Sequence, residues 1–213
     1  MKKGIFITVE GGDGVGKSTQ LEFIKEYLEN RNENALFTRE PGGTPISEKI
    51  RTIILDKNNK EIDPVTEMFL YAASRAQHIA QLVGPALDRG RIVVCDRFVD
   101  SSIAYQGYAR GLGECVSIVN SYAIGEYVPD VTFLFKLDPI KSTGRITEVN
   151  KDRLESEELS FHQKVYEGYL QLEKRFPDRV IGIDASGTIE EISSVIADHL
   201  DRILRDRNDI QRD

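Results

Sequence analysis

Residues Gly11-Gly12-Asp13-Gly14-Val15-Gly16-Lys17-Ser18 satisfy the pattern G-x-x-x-x-G-K-[ST] at every fixed position. The chemistry of that spacing is the holding of phosphate. Glycines let a tight loop turn successive backbone N–H groups toward one point, which makes an anion nest. A helix starting near Gly16 adds its positive end, Lys17 brings a mobile charge to the outer phosphates, and the hydroxyls of Ser18 and Thr19 follow on the first turn. The Ser18 hydroxyl suits Mg²⁺. Asp13 is the odd member, because a carboxylate inside the loop repels the ligand the loop attracts. It implies that something besides the bound triphosphate touches this loop.

The flanking segments are those such a loop needs. The run before it, GIFITVEG, is apolar and β-branched and reads as a buried strand. The run after it carries Leu21, Ile24, Tyr27 and Leu28 at helical spacing. Further strands are expected at 34–40, at Arg91–Arg97, at 130–137 and in RVIGIDAS. Helices are expected around Ile46–Leu55, from Pro64 to a stop at Gly90 with a disturbance at Gly84-Pro85, over about Glu114–Glu126, over SFHQKVYEGYLQLEKRF and over TIEEISSVIADHLDRIL. Strands alternating with helices predict an α/β fold, a doubly wound parallel five-stranded sheet with helices on both faces. Ligands then gather at the carboxyl ends of the strands, so Asp13–Ser18, Arg39–Gly43 and Asp96–Gln106 should converge.

With 213 residues the chain is expected to form one domain, with a small lid at about 141–157 and a tail that frays from about 207 to 213. Its net charge of −7 argues against nucleic acid or an anionic membrane as the main partner, and no apolar run is long enough to span a bilayer. Cys95 and Cys115 have no metal-type spacing and read as buried free thiols of a cytoplasmic protein. Against the acidic background, Arg39, Arg51, Arg75 and Arg97 in converging elements suggest an acceptor that itself carries a phosphate. A guanine-binding switch would need N-K-x-D, but NKDR at 150–153 has Arg153 in place of the Asp. A motor would carry more chain for coupling. A kinase therefore fits best. A deoxynucleoside kinase, with Glu40 as base, and a nucleotide-sensing module without turnover are the alternatives.

The segments TREPGGTP, YAASRAQH, CDRFVDSSIAYQGYARGLG and RLESEELSFHQKVYEGY, in this order, resemble the bacterial thymidylate kinases over nearly the whole chain. The resemblance implies transfer of phosphate from ATP to dTMP with Mg²⁺, in dTTP synthesis. It also implies a sheet of order 2-3-1-4-5, a mobile lid and a homodimer. It assigns Arg39 and Arg97 to the dTMP phosphate. Tyr71, where the family usually has Phe, would stack on thymine, and Arg75 would donate to a thymine carbonyl. Ser102 and Gln106 would read the polar edge of the base, with Glu40, Arg51 and Ser101 in the same pocket. Tyr105 would close against the deoxyribose, Asp13 would accept from the 3′-OH, and Ser18 with Asp96 would hold the metal. Gly14 occupies the place where some members carry an Arg, so the cation on the transferred phosphoryl is expected from the lid: Arg153, with Arg145 packing on adenine and Lys151 as a further candidate. Adenine is expected near residues 184–187. His78, His162 and His199 read as ordinary helix residues, since an ionised acceptor phosphate needs no general base.

Overall fold

The computed structural model describes residues 4–142 and 152–209. Five parallel strands form one sheet in the order β2-β3-β1-β4-β5: β1 Ile5–Gly11, β2 Ala35–Arg39, β3 Ile92–Asp96, β4 Val131–Lys136 and β5 Val180–Asp184. The central strand β1 is buried along its whole length, which is why its sequence is apolar without alternation. The edge strands β2 and β5 are only half covered. Register brings the strand ends level: Val9 pairs with Asp96, Arg39 with Asp96, and Gly11 with Phe135. The doubly wound sheet, its strand order and the convergence of the three loops are thus as the sequence predicts.

Helices cover both faces. On one side α1 (Lys17–Glu29) and α9 (Ile189–Asp209) bury Ile24, Leu28, Ile196 and Leu200 against Ile7, Val9 and Phe133. Burying each of these side chains contributes about 1.5–3 kcal/mol. On the other side lie α2 (Pro45–Leu55), α3 (Pro64–His78), α6 (Cys115–Ile124) and α8 (Leu159–Arg175). Thr44 and Asp63 start α2 and α3 by accepting from the backbone N–H of Ser47 (3.4 Å) and Val65 (2.8 Å), each with proline at the first helical position. Caps of this kind are worth about 1 kcal/mol.

Several elements differ from the sequence reading. The helix expected from Pro64 to Gly90 is α3, then a π-helical stretch Ile79–Val83, then α4 (Gly84–Asp88). The widened turn precedes Pro85, which has no N–H to continue an α-helical ladder. After β3 the chain forms α5 (Val99–Ser102) and a second π-helical stretch, Ile103–Ala109, in a region where no helix is evident from periodicity. This stretch packs tightly on α8: a Cβ at Gly168 would lie 3.0 Å from Tyr108 Cβ and 3.1 Å from Ala104 Cα. After β4 the described chain forms a short helix, α7 (Pro139–Ser142). The last helix runs through Asp209, the last described residue, and Arg207 within it pairs with Glu33 at 2.9 Å and donates to the Gly90 carbonyl at 2.5 Å. Cys95 is buried as expected, but Cys115 is exposed at the start of α6.

Candidate active site

A cavity of about 450 Å³ opens at the carboxyl ends of the strands. Its floor is the phosphate-binding loop, with Asp13, Gly14, Val15, Gly16, Lys17 and Ser18 on its wall. Gly16 precedes α1 with φ +95°, a left-handed conformation that glycine adopts at no steric cost, so the loop can turn directly into the helix. Lys17 folds back over the loop and donates to the carbonyls of Gly11 (3.1 Å) and Gly12 (2.5 Å). Burial, together with the nearby Arg97 charge, pushes the Lys17 pKa down to about 8. An anionic ligand would restore it, so the ammonium is poised to take phosphate. Thr19 is exposed beyond the cavity wall, and Gly12 faces a second cavity of about 220 Å³.

Asp13 explains its own oddity. One of its carboxylate oxygens pairs with Arg97 Nη2, and the other accepts from the Tyr105 hydroxyl at 3.2 Å. Burial would raise its pKa, but the Arg97 and Lys17 charges outweigh that and hold it below the usual carboxylate range. The carboxylate thus joins the loop to the opposite wall. Arg97 sits just after β3 with φ +65°, a conformation uncommon for a residue with a side chain. Its Nη1 donates to the Gly11 carbonyl at 2.9 Å, and Ser101 Oγ and Tyr169 OH both lie at 3.3 Å. Burial opposes its charge, yet Tyr105 and Asp13 hold its pKa well above the ordinary value. Arg39 and Arg51 line the same cavity. Arg39 pairs with Glu48 at 3.0 Å and is half exposed, while Arg51 donates to the Pro41 carbonyl at 2.7 Å.

The far wall comes from α3 and the second π-helical stretch. Tyr71 and Arg75 face the cavity one helical turn apart. Arg75 is fully enclosed. It donates from Nε to Glu40 (2.7 Å), from Nη1 to Ser102 Oγ (3.0 Å) and to Asn120 Oδ1, and from Nη2 to the Phe98 carbonyl (3.1 Å). One Nη2 N–H is left over. Glu40 also accepts at 2.8 Å from His78 Nδ1, whose Nε2 lies 2.7 Å from Thr38 Oγ1. His78 is thus a buried bridge rather than an ordinary helix residue, and Glu40 is spent on holding Arg75, which removes it as a base for a nucleoside hydroxyl. Ser102 is not among the residues lining the cavity; it lies behind the wall, where its Oγ accepts from Arg75. Ser101, Tyr105 and Gln106 reach the wall.

The lid residues fall differently. Arg145 and Lys151 lie outside the described residues. Arg153 does not line the cavity; it is buried, donating to the Ile54 carbonyl at 2.7 Å and to Glu67 Oε2 at 2.6 Å. Its neighbours Asp152, Leu154 and Glu155 do reach the cavity. Asp184 ends β5 and residues 185–187 form the turn after it; none of them lines the cavity.

Two buried carboxylates went unnoticed in the sequence. Glu10 collects the backbone N–H of Phe98 (2.7 Å), Ser101 Oγ (2.6 Å) and Tyr169 OH (2.9 Å), and burial beside Asp100 pushes its pKa up to about 7. It ties β1 to the segment that carries Arg97. Glu67 gathers Gln106, Arg110 and Arg153. Its spacing of four from Tyr71 and eight from Arg75 was the available signal, since all three then share one helix face.

A family model described as thymidylate kinase matches residues 9–196. The chain belongs to the thymidylate kinase family. It is 48% identical over 211 residues to a thymidylate kinase of Halalkalibacterium halodurans, covering 97% of this chain and 99% of that one. It is 50% identical over 208 residues to a thymidylate kinase of Bacillus velezensis, covering 94% and 98%. Among solved structures, a thymidylate kinase from Ehrlichia chaffeensis superposes with a TM-score of 0.75 at 31% identity, covering 93% of this chain and 99% of that one. The thymidylate kinase relationship thus extends over both walls of the cavity, from the phosphate-binding loop to α8.

Proposed function

We propose that the chain transfers the terminal phosphoryl group of ATP to dTMP, giving ADP and dTDP. The observation that carries this reading is the placement of Arg39, Arg51 and Arg97 around one cavity that also holds the phosphate-binding loop. Such a cluster suits an acceptor that already bears a phosphate. A neutral nucleoside would not need it, and Glu40 is committed to Arg75 and His78. Arg97, anchored on Asp13, would hold the acceptor phosphate beside the loop, with Arg39 from β2. Thymine would lie against Tyr71, with the spare N–H of Arg75 and the amide of Gln106 at its polar edge. Tyr105 and Asp13 would close on the sugar, leaving no room for a 2′-hydroxyl.

Asp96 Oδ1 is buried with no hydrogen-bond partner among the described residues, and Ser18 stands across the same cavity. These hard oxygen donors fit Mg²⁺, which keeps several ligands as water or phosphate oxygens. Bound there, the ion would neutralise charge on the phosphates of ATP. Lys17 would orient the outer phosphates, and the walls would exclude water so that transfer outruns hydrolysis. Arg153 would root the lid on α3, leaving Arg145 or Lys151 to reach the transferred group.

Phe69, Ile118 and Tyr122 are exposed on α3 and α6, which pack together, and a second copy of the chain would cover them in a homodimer. The exposed thiol of Cys115 suits the reducing cytoplasm. No helix among the described residues is long and apolar enough to cross a membrane. The test is a coupled ADP-release assay with dTMP, its ribose counterpart and thymidine. Turnover with dTMP far above the other two is expected. Equal rates with thymidine would overturn the acceptor assignment, and equal rates with the ribonucleotide would overturn the role of Tyr105.

A further inference from the structure

Glu67 is wholly buried on α3, one turn before Tyr71, and is not itself part of the cavity wall. It is nevertheless the centre of a network. Gln106 Nε2 donates to its Oε1 at 2.9 Å. Arg110 donates to both of its oxygens at 3.3 and 3.2 Å, and Arg153 donates to Oε2 at 2.6 Å. Burial would raise its pKa, but the hydrogen bonds from Arg110 and Gln106 outweigh it and keep the carboxylate ionised. An ionised carboxylate only accepts hydrogen bonds, so it captures the donor end of the Gln106 amide. The acceptor end, Oε1, is left buried with no partner among the described residues, on a residue that lines the cavity. A neutral partner could have accepted either end of the amide and allowed it to turn over.

We propose that Glu67 is a positioning residue for base selection: by holding Gln106 Nε2, it fixes the amide so that the pocket offers an acceptor, which matches the N3–H of thymine and opposes the bare N3 of cytosine. The inference rests on the placement of the base against Gln106 given above. Arg75 contributes to the same choice independently, because it is held by Glu40, Ser102, Asn120 and Phe98 and not by Glu67. Glu67 therefore controls one part of the discrimination and leaves the other intact.

The test compares kcat/KM for dTMP and dCMP in Glu67→Gln, Gln106→Met, their double variant and Arg110→Met. A neutral Gln at 67 lets the amide turn, so the dTMP preference should fall by about tenfold or more, the worth of one buried hydrogen bond made or opposed. The loss should appear in KM for dTMP more than in kcat. Gln106→Met should lose a similar factor, and adding Glu67→Gln to it should change the preference no further. Arg110→Met loosens the same network but leaves the Glu67–Gln106 bond, so its preference should match the parent. If Glu67→Gln does not fold, Glu67→Gln with Arg110→Met removes a charge of each sign and takes its place. An unchanged preference in the Glu67 variant, with Gln106→Met affected, overturns the positioning role. A loss of the same size in Arg110→Met also overturns it, because general loosening then suffices. An unchanged preference in Gln106→Met overturns the base placement instead.

Discussion

The two ends of the cavity are built in different ways. The phosphate end is a short continuous stretch, Gly11–Ser18, in which backbone N–H groups, one lysine and a helix start act together. The base end is assembled from side chains distant in sequence, in two buried hydrogen-bonded groups: Arg75 with Glu40, Ser102 and Asn120, and Glu67 with Gln106. Asp13 and Arg97 are the bridge between them. A backbone nest recognises any suitably charged phosphate and does not depend on partners elsewhere. A side-chain network recognises one shape and polarity, and each member relies on the next. The phosphate end should therefore govern rate, and the base end should govern which substrate is accepted and how firmly the wall stands.

The largest expected effect tests that division at the phosphate end. Lys17→Ala should lower kcat by about a thousandfold, the scale of losing a fixed charge at a reacting phosphate. Its unfolding midpoint should not fall, because the buried ammonium is held below its ordinary pKa and its charge costs stability. Turnover near normal in a folded Lys17→Ala would break the assignment. At the base end the larger effect should be on stability. Arg153→Met removes one of the two arginine partners of buried Glu67 and frees the Ile54 carbonyl, at a cost of about 2 kcal/mol in urea unfolding. An unchanged midpoint, with kcat down a hundredfold or so as for a lid cation, would move Arg153 to the phosphate side of the comparison.

The smallest effect concerns pH. Lys17 titrates near pH 8 in the free protein, close to Arg97, Asp13, Asp96 and Glu10. Bound phosphate raises its pKa, so ATP binding is coupled to proton uptake once pH exceeds about 8. ATP affinity should be flat below that point and weaken above it, by up to about tenfold per pH unit. The same depressed pKa means that the stability cost of the charge is present in full below pH 8 and is relieved as pH rises toward 10.5. Titrations between pH 7 and 9.5 should lose the break in Lys17→Arg. A flat profile in the parent would show that Lys17 stays charged without ligand.

This division also accounts for what could be read from the chain alone. The nest was legible because its chemistry is local: glycine, lysine and serine at fixed spacing between a strand and a helix. The sheet was legible because central strands are apolar without interruption. The second π-helical stretch was not, since its buried face carries Tyr105 and Gln106 among small residues and shows no helical period. Ser102 and Arg153 read in sequence as facing ligand, because a polar residue near a site looks the same there whether it points inward or back into the wall. Only the positions of Arg75 and Glu67 separate the two cases. Glu40 reads as a possible base for the same reason, since its partners Arg75 and His78 lie far from it in sequence.

The two ends of the cavity should act separably, and equilibrium binding of each substrate to Lys17→Ala and Gln106→Met measures this directly. Calorimetry should show ATP binding lost in Lys17→Ala with dTMP affinity within about twofold of the parent, and in Gln106→Met dTMP binding about tenfold weaker with ATP affinity unchanged. Loss of both substrates in either variant would mean that nest and network form one cooperative unit, which would contradict the division drawn here.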